Sequence, residues 1–402
     1  MKKTLLSAVG LLLGAMTALA ADTIVFGAAI SITGKTAKEG GYTRDGYQIA
    51  IDKINELGGI KVGGKTYKVA LKYYDDETKP ESTAQLIEKL INEDKVNLIL
   101  GPYGSSPTGT AAPLAERYKI PMVEANGSAE AIFSKGYKYT FMILSPAKLY
   151  LRGIIDAVRA KDPSAKTVAI LGENEAFSKE VAAGAAEYAK EKGMTVVYDE
   201  LYPTNAQDVS ALLTAIKGKN PDMILGSGHL QDSLLIVKQA KDLGLSAKAM
   251  GFSVGPSSPE FRANLGKSAD YIYGATQWTE ALKYNGDDPW KTPKAFGDAF
   301  RAKHPDYKSI PYQVAESAVA VIAYQKAIEK AGTIEPTKVR DALAAIDVMT
   351  FYGKIKFDAR GVNIYKPMAA EQYQPDGNKY TVWPQDVAEK PILYPMPAWD
   401  KR

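Results

Sequence analysis

The chain has 402 residues, 46% of them hydrophobic, with no cysteine, two histidines and a formal charge of +4. Without cysteine there is no disulfide framework, thiolate nucleophile, cysteine-ligated zinc or iron–sulfur cluster, and no lipid-anchoring cysteine. Two histidines leave little for a histidine-rich metal site, and a near-balanced charge argues against a nucleic-acid or anionic-membrane surface.

The first segment is an address. Met1-Lys2-Lys3 is basic, Leu5 to Leu19 is mostly apolar, and Ala18-Leu19-Ala20 is a small-x-small cleavage site. Residues 1–20 therefore form an expected secretory signal peptide, cut near Ala20/Ala21. The apolar run is too short and broken for a membrane span, and no later segment reaches the ~18 apolar residues required. The remainder is long enough for two domains, or three small ones, at ~100–200 residues each.

Short apolar strands then alternate with amphipathic helices. Thr23–Ala29 is a continuous apolar run suited to a parallel sheet buried on both faces. Asp45–Leu57 has helical spacing and stops at Gly58-Gly59; Tyr67–Tyr74 alternates like a strand. A helix is expected over Pro80–Glu93, with Pro80 in its first turn. Strand Val96–Leu100, helix Thr108–Tyr118, and strands Pro121–Glu124 and Tyr139–Leu144 follow.

A second series runs through helix Ala147–Ala160, strand Thr167–Leu171, helix Phe177–Lys192, strand Thr195–Leu201 and helix Val209–Gly218. It continues with strand Asp222–Leu225, helix Leu230–Leu243 and strand Ala249–Phe252. Two strings of βα units imply two doubly wound parallel sheets with helices on both faces. Beyond them, helices Gln313–Ala331 and Pro336–Ala345 precede antiparallel strands at Gly353–Phe357, Met368–Tyr373 and Lys379–Trp383.

Several motifs look chemical. Gly59–Thr66 matches the letter of a phosphate loop, but it follows a helix and precedes a strand, the reverse of the required context, so a cap and turn is the better reading. Gly226-Ser227-Gly228 follows a strand and opens a helix, yet Gln231 stands where a dinucleotide fingerprint needs its third glycine. Gly101–Thr110 also joins a strand end to a helix start. Its Ser105 and Ser106 offer hydroxyls and amides to an anion, or Ser106 or Thr108 simply caps the helix. In Glu124–Ala129, Asn126 and Ser128 offer the same choice between a ligand and a cap. His229 lies at a strand-to-helix junction and His304 in a charged stretch; neither suggests a catalytic base. The acidic pairs Asp75-Asp76, Asp287-Asp288 and Glu173/Glu175 fit solvated faces. The 24 tyrosines suit cleft walls that need an apolar face and a polar tip.

Taken together, Ala29-Ile-Ser-Ile-Thr-Gly34, Asp52–Ile60, Leu100-Gly-Pro-Tyr-Gly-Ser-Ser106, Ile120-Pro-Met-Val123 and Gly353–Gly361 resemble the leucine/isoleucine/valine-binding type of periplasmic solute-binding protein. The resemblance covers nearly the whole mature chain. It implies a two-lobed α/β fold with a three-segment hinge. One lobe would hold residues 21–144 plus 276–349, the other 145–275 plus 350–402. The lobes would close on a small solute for delivery to the membrane permease of an ABC importer. A soluble periplasmic monomer is implied, with no cofactor, metal, enzymatic activity or nucleic-acid partner.

In amino-acid binders of this type one lobe holds the ligand carboxylate at two strand ends. Ser105 falls on the first position, beside Tyr103 and Ser106; Asn126 (through its carbonyl) and Ser128 fall on the second. The other lobe usually offers tyrosines and an acid for the ligand's ammonium group. Those positions carry Phe177, His229 and Ser253, and Glu39 falls where the first lobe often has an aromatic. A buried ammonium without a carboxylate is costly. Either Glu39, Glu124 or another acid replaces the missing one, or the ligand is an aromatic acid, keto acid or short amide. A branched-chain or related amino acid is the first expectation. A sensor of the same fold that does not serve transport is an alternative.

Overall fold

The computed structural model describes residues 23–402; the expected signal peptide and its cleavage point lie outside them. Among the described residues no helix is long and apolar enough to cross a membrane.

The first sheet is built from β1 (Thr23–Ile30), α1 (Ala37–Glu56), the hairpin β2 (Ile60–Val62) and β3 (Lys65–Asp75), α2 (Pro80–Asn92), β4 (Leu98–Leu100), α3 (Ser105–Tyr118), β5 (Met122–Glu124), the short α4 (Glu130–Phe133) and β6 (Thr140–Met142). Its strand order is β2-β3-β1-β4-β5-β6, and only β2 is antiparallel. Strands β4, β5 and β6 are three residues each and wholly buried, as expected where helices cover both faces. The phosphate-loop look-alike is the β2–β3 turn. Gly63 and Gly64 both adopt positive φ there, which a tight hairpin turn requires.

The second sheet follows: α5 (Arg152–Lys161), β7 (Thr167–Glu173), α6 (Ala176–Glu191), β8 (Thr195–Tyr202), α7 (Ser210–Lys219), β9 (Met223–Ser227), α8 (Leu230–Asp242), β10 (Ala249–Phe252), α9 (Pro259–Leu265) and β11 (Tyr273–Thr276). The chain then returns to the first unit with α10 (Pro293–Lys303), α11 (Tyr312–Ala331) and α12 (Pro336–Ala344), makes the hairpin β12 (Asp347–Thr350)–β13 (Gly353–Lys356), and finishes in the second sheet with β14 (Ala369–Tyr373) and β15 (Lys379–Trp383). The second sheet runs β15-β14-β11-β10-β9-β7-β8, with β14 antiparallel to both neighbours. Helix α11 is buried continuously from Tyr312 to Tyr324, and the Tyr324 hydroxyl lies 2.7 and 2.6 Å from the carbonyls of Ile99 and Pro121.

The architecture is a two-lobed α/β fold. The chain passes between the lobes three times, and one residue of each crossing joins a common knot. Ser145 N–H donates to Gln277 Oε1 (3.1 Å), the Ser145 hydroxyl donates to Lys366 O (2.7 Å), and Lys366 Nζ donates to Gln277 O. The division expected at 349/350 falls beside the β12–β13 turn. Val362 still bridges Met142 of the first sheet, and second-sheet pairing resumes at Ala369.

Helix α1 starts eight residues before its expected position. Gly40-Gly41 resembles a break, but Gly40 is where the helix touches β1's end: a side chain there would overlap the Ser31 carbonyl. Strand β11, Tyr-Gly-Ala-Thr, escapes the sequence pattern because it carries no alternation; helix α10 does carry helical spacing, with Pro293, Phe296, Gly297 and Phe300 on its buried face, and adds to the expected elements.

Candidate ligand-binding site

The carboxyl ends of β4 and β5 face those of β7, β9 and β10 across the cleft, the usual place for ligands in open α/β sheets. On the first side, Glu124 organises the loop after β5. Its Oε1 accepts from the backbone N–H of Asn126 (2.5 Å) and Gly127 (2.7 Å), and its Oε2 lies 2.8 Å from the Thr108 hydroxyl. Burial pushes this carboxyl up to about 7. Glu124 is therefore a scaffold for the loop.

That loop presents unspent polar atoms. Asn126 Nδ2 donates to Ser317 Oγ (3.0 Å), while Asn126 Oδ1 and Ser128 Oγ are buried without a partner. Ser105, at the first turn of α3, accepts from Ala129 N–H (3.1 Å) and keeps its own proton free to donate elsewhere. Buried polar atoms without partners are rare enough to need a cause.

The facing wall is aromatic. The Tyr103 hydroxyl is 2.9 Å from His229 Nδ1, joining the lobes. The ring of Phe177 lies 5.5 Å from His229 and 5.0 Å from Tyr150, which is 6.5 Å from Tyr312. These rings line a void of about 10 Å³, with Asn126 and Glu316 also on its wall. That is room for about one water. Outside the Tyr103–His229 pair lies a second cavity of about 460 Å³, lined by Lys35, Ser106, Glu173 and Glu175 among others. The lobes are thus closed, and an amino-acid-sized solute enters the inner space only by parting them.

The mouth is held by charge. Lys35 Nζ contacts Glu173 (2.6 Å) and Asp232 (3.0 Å) on the opposite lobe. Burial works against the ammonium, but Asp232 and Glu173 outweigh it and hold its pKa up. Glu173, Glu175 and His229 offer three ligand atoms within 4.8 Å of one another. Each is already engaged: Glu173 by Lys35, Glu175 by the first amides of α6, His229 by Tyr103. Lys35→Ala is expected to weaken the closed arrangement by about 2 kcal/mol. Small-angle scattering of the unliganded protein should then give a larger radius of gyration; an unchanged one would deny the latch.

The sequence-derived candidates divide accordingly. Tyr103, Asn126, Phe177 and His229 line the inner void, and Ser105 and Ser106 the outer cavity; Ser128 adjoins Asn126. Ser106 faces Glu175 (3.5 Å). Glu39 lines neither space: its Oε1 accepts from Leu230 N–H (3.0 Å) at the start of α8, so it fastens one lobe to the other. Ser253 is also away from the wall, because its hydroxyl donates to Gly228 O (2.9 Å) and accepts from Gly228 N–H (3.1 Å). Its neighbour Val254 lines the void instead. His304 stacks on Phe300 at 4.4 Å, remote from the site.

Tyr150, Tyr312 and Glu316 were not among the candidates. One signal was available: Gln313, Glu316 and Ser317 place polar groups on one face of the otherwise apolar first half of α11.

A family model described as periplasmic binding protein matches residues 23–378. The leucine-, isoleucine-, valine-, threonine- and alanine-binding protein of Pseudomonas aeruginosa is 32% identical, over 85% of this chain and 88% of its own. A leucine-binding protein from Thermotoga maritima has a similar structure, with TM-score 0.78, 22% identity and coverage of 89% of this chain and 97% of that one. A solute-binding protein from R. palustris, solved in complex with benzoate, gives TM-score 0.75 at 19% identity, covering 94% and 97%. With closed lobes, unspent hydroxyls at the strand ends and a family match spanning most of its length, the chain belongs to the periplasmic binding proteins of the leucine/isoleucine/valine-binding type.

Proposed function

We propose that this chain captures a small carboxylate-bearing solute in the periplasm and hands it to the membrane permease of an ABC importer. It works as a monomer, without turnover. The observation that carries this reading is the Ser128 hydroxyl, buried without a partner in the loop after β5, beside an aromatic wall that includes Tyr103, Phe177 and His229. Ser105, Ser128 and the α3 amides take the carboxylate. Phe177, Tyr103, Tyr150 and His229 cover the apolar body. A branched-chain or related amino acid is the first ligand class, supported by the name of the Pseudomonas aeruginosa relative. A second reading, an aromatic acid, is favoured by the number of rings around the void and by the benzoate in the R. palustris protein. Keto acids and short amides belong to the same test, whereas a sensing role is separated from transport by which membrane protein the closed form engages.

A thermal-shift panel of amino acids, aromatic acids, keto acids and amides decides among them. Ligand at 100 times its dissociation constant should add about 2.7 kcal/mol of stability. The double variant Ser105→Ala, Ser128→Ala should fold and lose about 3 kcal/mol of binding, from two hydrogen bonds to a charged group at about 1.5 kcal/mol each. Unchanged affinity would move the carboxylate elsewhere, and a panel without any shift would remove the binding role.

A further inference from the structure

The acid expected for a ligand ammonium at the end of β10 is absent, and Ser253, which stands there, is tied to Gly228. The structure nevertheless brings one carboxyl to the wall of the inner void. Glu316 comes from α11 of the first lobe, is 1% exposed, and accepts from the Tyr352 hydroxyl at Oε2 (3.2 Å). Among the described residues no cation stands within ion-pairing distance of it. Lys366 is the nearest candidate, but its Nζ donates to Gln277 O and lies 4.2 Å above the ring of Tyr352. Burial pushes the Glu316 carboxyl well up, opposed by Lys366, and lowers Lys366 to about 7.

Three facts make this arrangement informative. Glu316 and Asn126 line the same void of about 10 Å³. The ammonium and carboxylate of an α-amino acid are separated by a single carbon, so they need acid and carboxylate cradle that close together. Asn126 is also braced by Ser317, the residue after Glu316, which fixes the two relative to each other. Finally, Tyr103, Tyr150 and Tyr312 line the same space, and aromatic side chains are favourable neighbours for a cation.

We infer that Glu316 is the specificity-determining residue that pairs with a ligand's ammonium group, so that the first lobe reads both charged ends of an α-amino acid. This rests on the proposed capture of a carboxylate solute at the ends of β4 and β5, from which Tyr103 and Asn126 reach the void that Glu316 lines. The second lobe, through Phe177, His229 and Val254, then contacts only the side chain. An acid without an amine leaves Glu316 unpaired and binds less well.

Calorimetric titration of the full mature chain tests this with L-leucine, L-isoleucine, L-valine, L-threonine and L-alanine, each beside the matching acid that lacks the amine, and with benzoate. In the wild type the best amino acid should bind about 100-fold more tightly than its amine-free partner, the scale of removing one member of a buried charge pair. Glu316→Gln should cost the amino acid about 100-fold and leave its amine-free partner within about threefold. The wild-type comparison stands even if that variant does not fold. Equal binding of amine and amine-free ligands, or an unchanged Glu316→Gln, overturns the assignment. Benzoate binding without any amino acid overturns it while leaving the carboxylate chamber intact. No binding by any probe removes both.

Discussion

Gly40→Ala lowers the stability of this protein by about 3 kcal/mol, the upper range for overpacking a filled site, whereas Gly41→Ala raises it by about 0.5–1 kcal/mol. Both glycines lie in the first turns of α1, where alanine is ordinarily the better helix former. At Gly41 an added methyl meets open space. At Gly40 it meets the Ser31 carbonyl, which is backbone and cannot rotate away. Helix α1 has no freedom to retreat, since Gly46, further along, sits against the Val314 carbonyl of α11. Denaturant unfolding of the two single variants checks this. Equal effects of the same sign would mean that α1 is not seated on β1 as described.

The same residues show what a sequence can and cannot reveal about this fold. The alternation of strands and helices was legible because most strands are short apolar runs and most helices keep one apolar face. The two sheets therefore followed from pattern. The start of α1 did not. A glycine pair signals a break in local terms, and only the approach of β1 explains why a helix would want it. Strand β11 was illegible for a related reason. Tyr273-Gly-Ala-Thr276 is buried between β10 and β14, so neither face demands alternation.

The candidate site divides along the same line. Ser105, Asn126 and Ser128 follow strand ends, and strand ends are visible in the sequence. Phe177 and His229 begin helices after strands, and they too were legible. Tyr150 reaches the void from the turn before α5 and Tyr312 and Glu316 from α11, far apart in the chain, and only tertiary packing brings them together. Ser253 shows the converse. Its position after β10 is right for a ligand contact, but its hydroxyl is consumed by Gly228 from the neighbouring strand end. Position along a strand locates a side chain; the hydrogen bonds it already makes decide whether it is available.

Glu124→Ala should be the most damaging of these substitutions, costing about 4 kcal/mol because the backbone amides of Asn126 and Gly127 lose their acceptor in a dry site. Glu124→Gln should be nearly neutral near pH 5. The reason lies in the proton count at Thr108. Its hydroxyl lies 2.8 Å from both Gly104 O and Glu124 Oε2, yet it has one proton to give. If that proton goes to Gly104, Glu124 must itself carry one and donate it to Thr108, as a glutamine amide would. Burial raises the carboxyl from 4.5 to about 7, in agreement with that count. A carboxyl whose folded pKa is raised stabilises the fold fully below its unfolded value and loses that contribution as pH rises through the folded one. Between pH 4.5 and pH 7 the loss approaches about 3 kcal/mol for this group. The difference in unfolding free energy between wild type and Glu124→Gln should therefore change with pH in that window, the variant gaining relative to the wild type as pH rises. A difference that stays flat from pH 5 to pH 8 would mean that Glu124 is ionised throughout and that Thr108 donates to it rather than to Gly104.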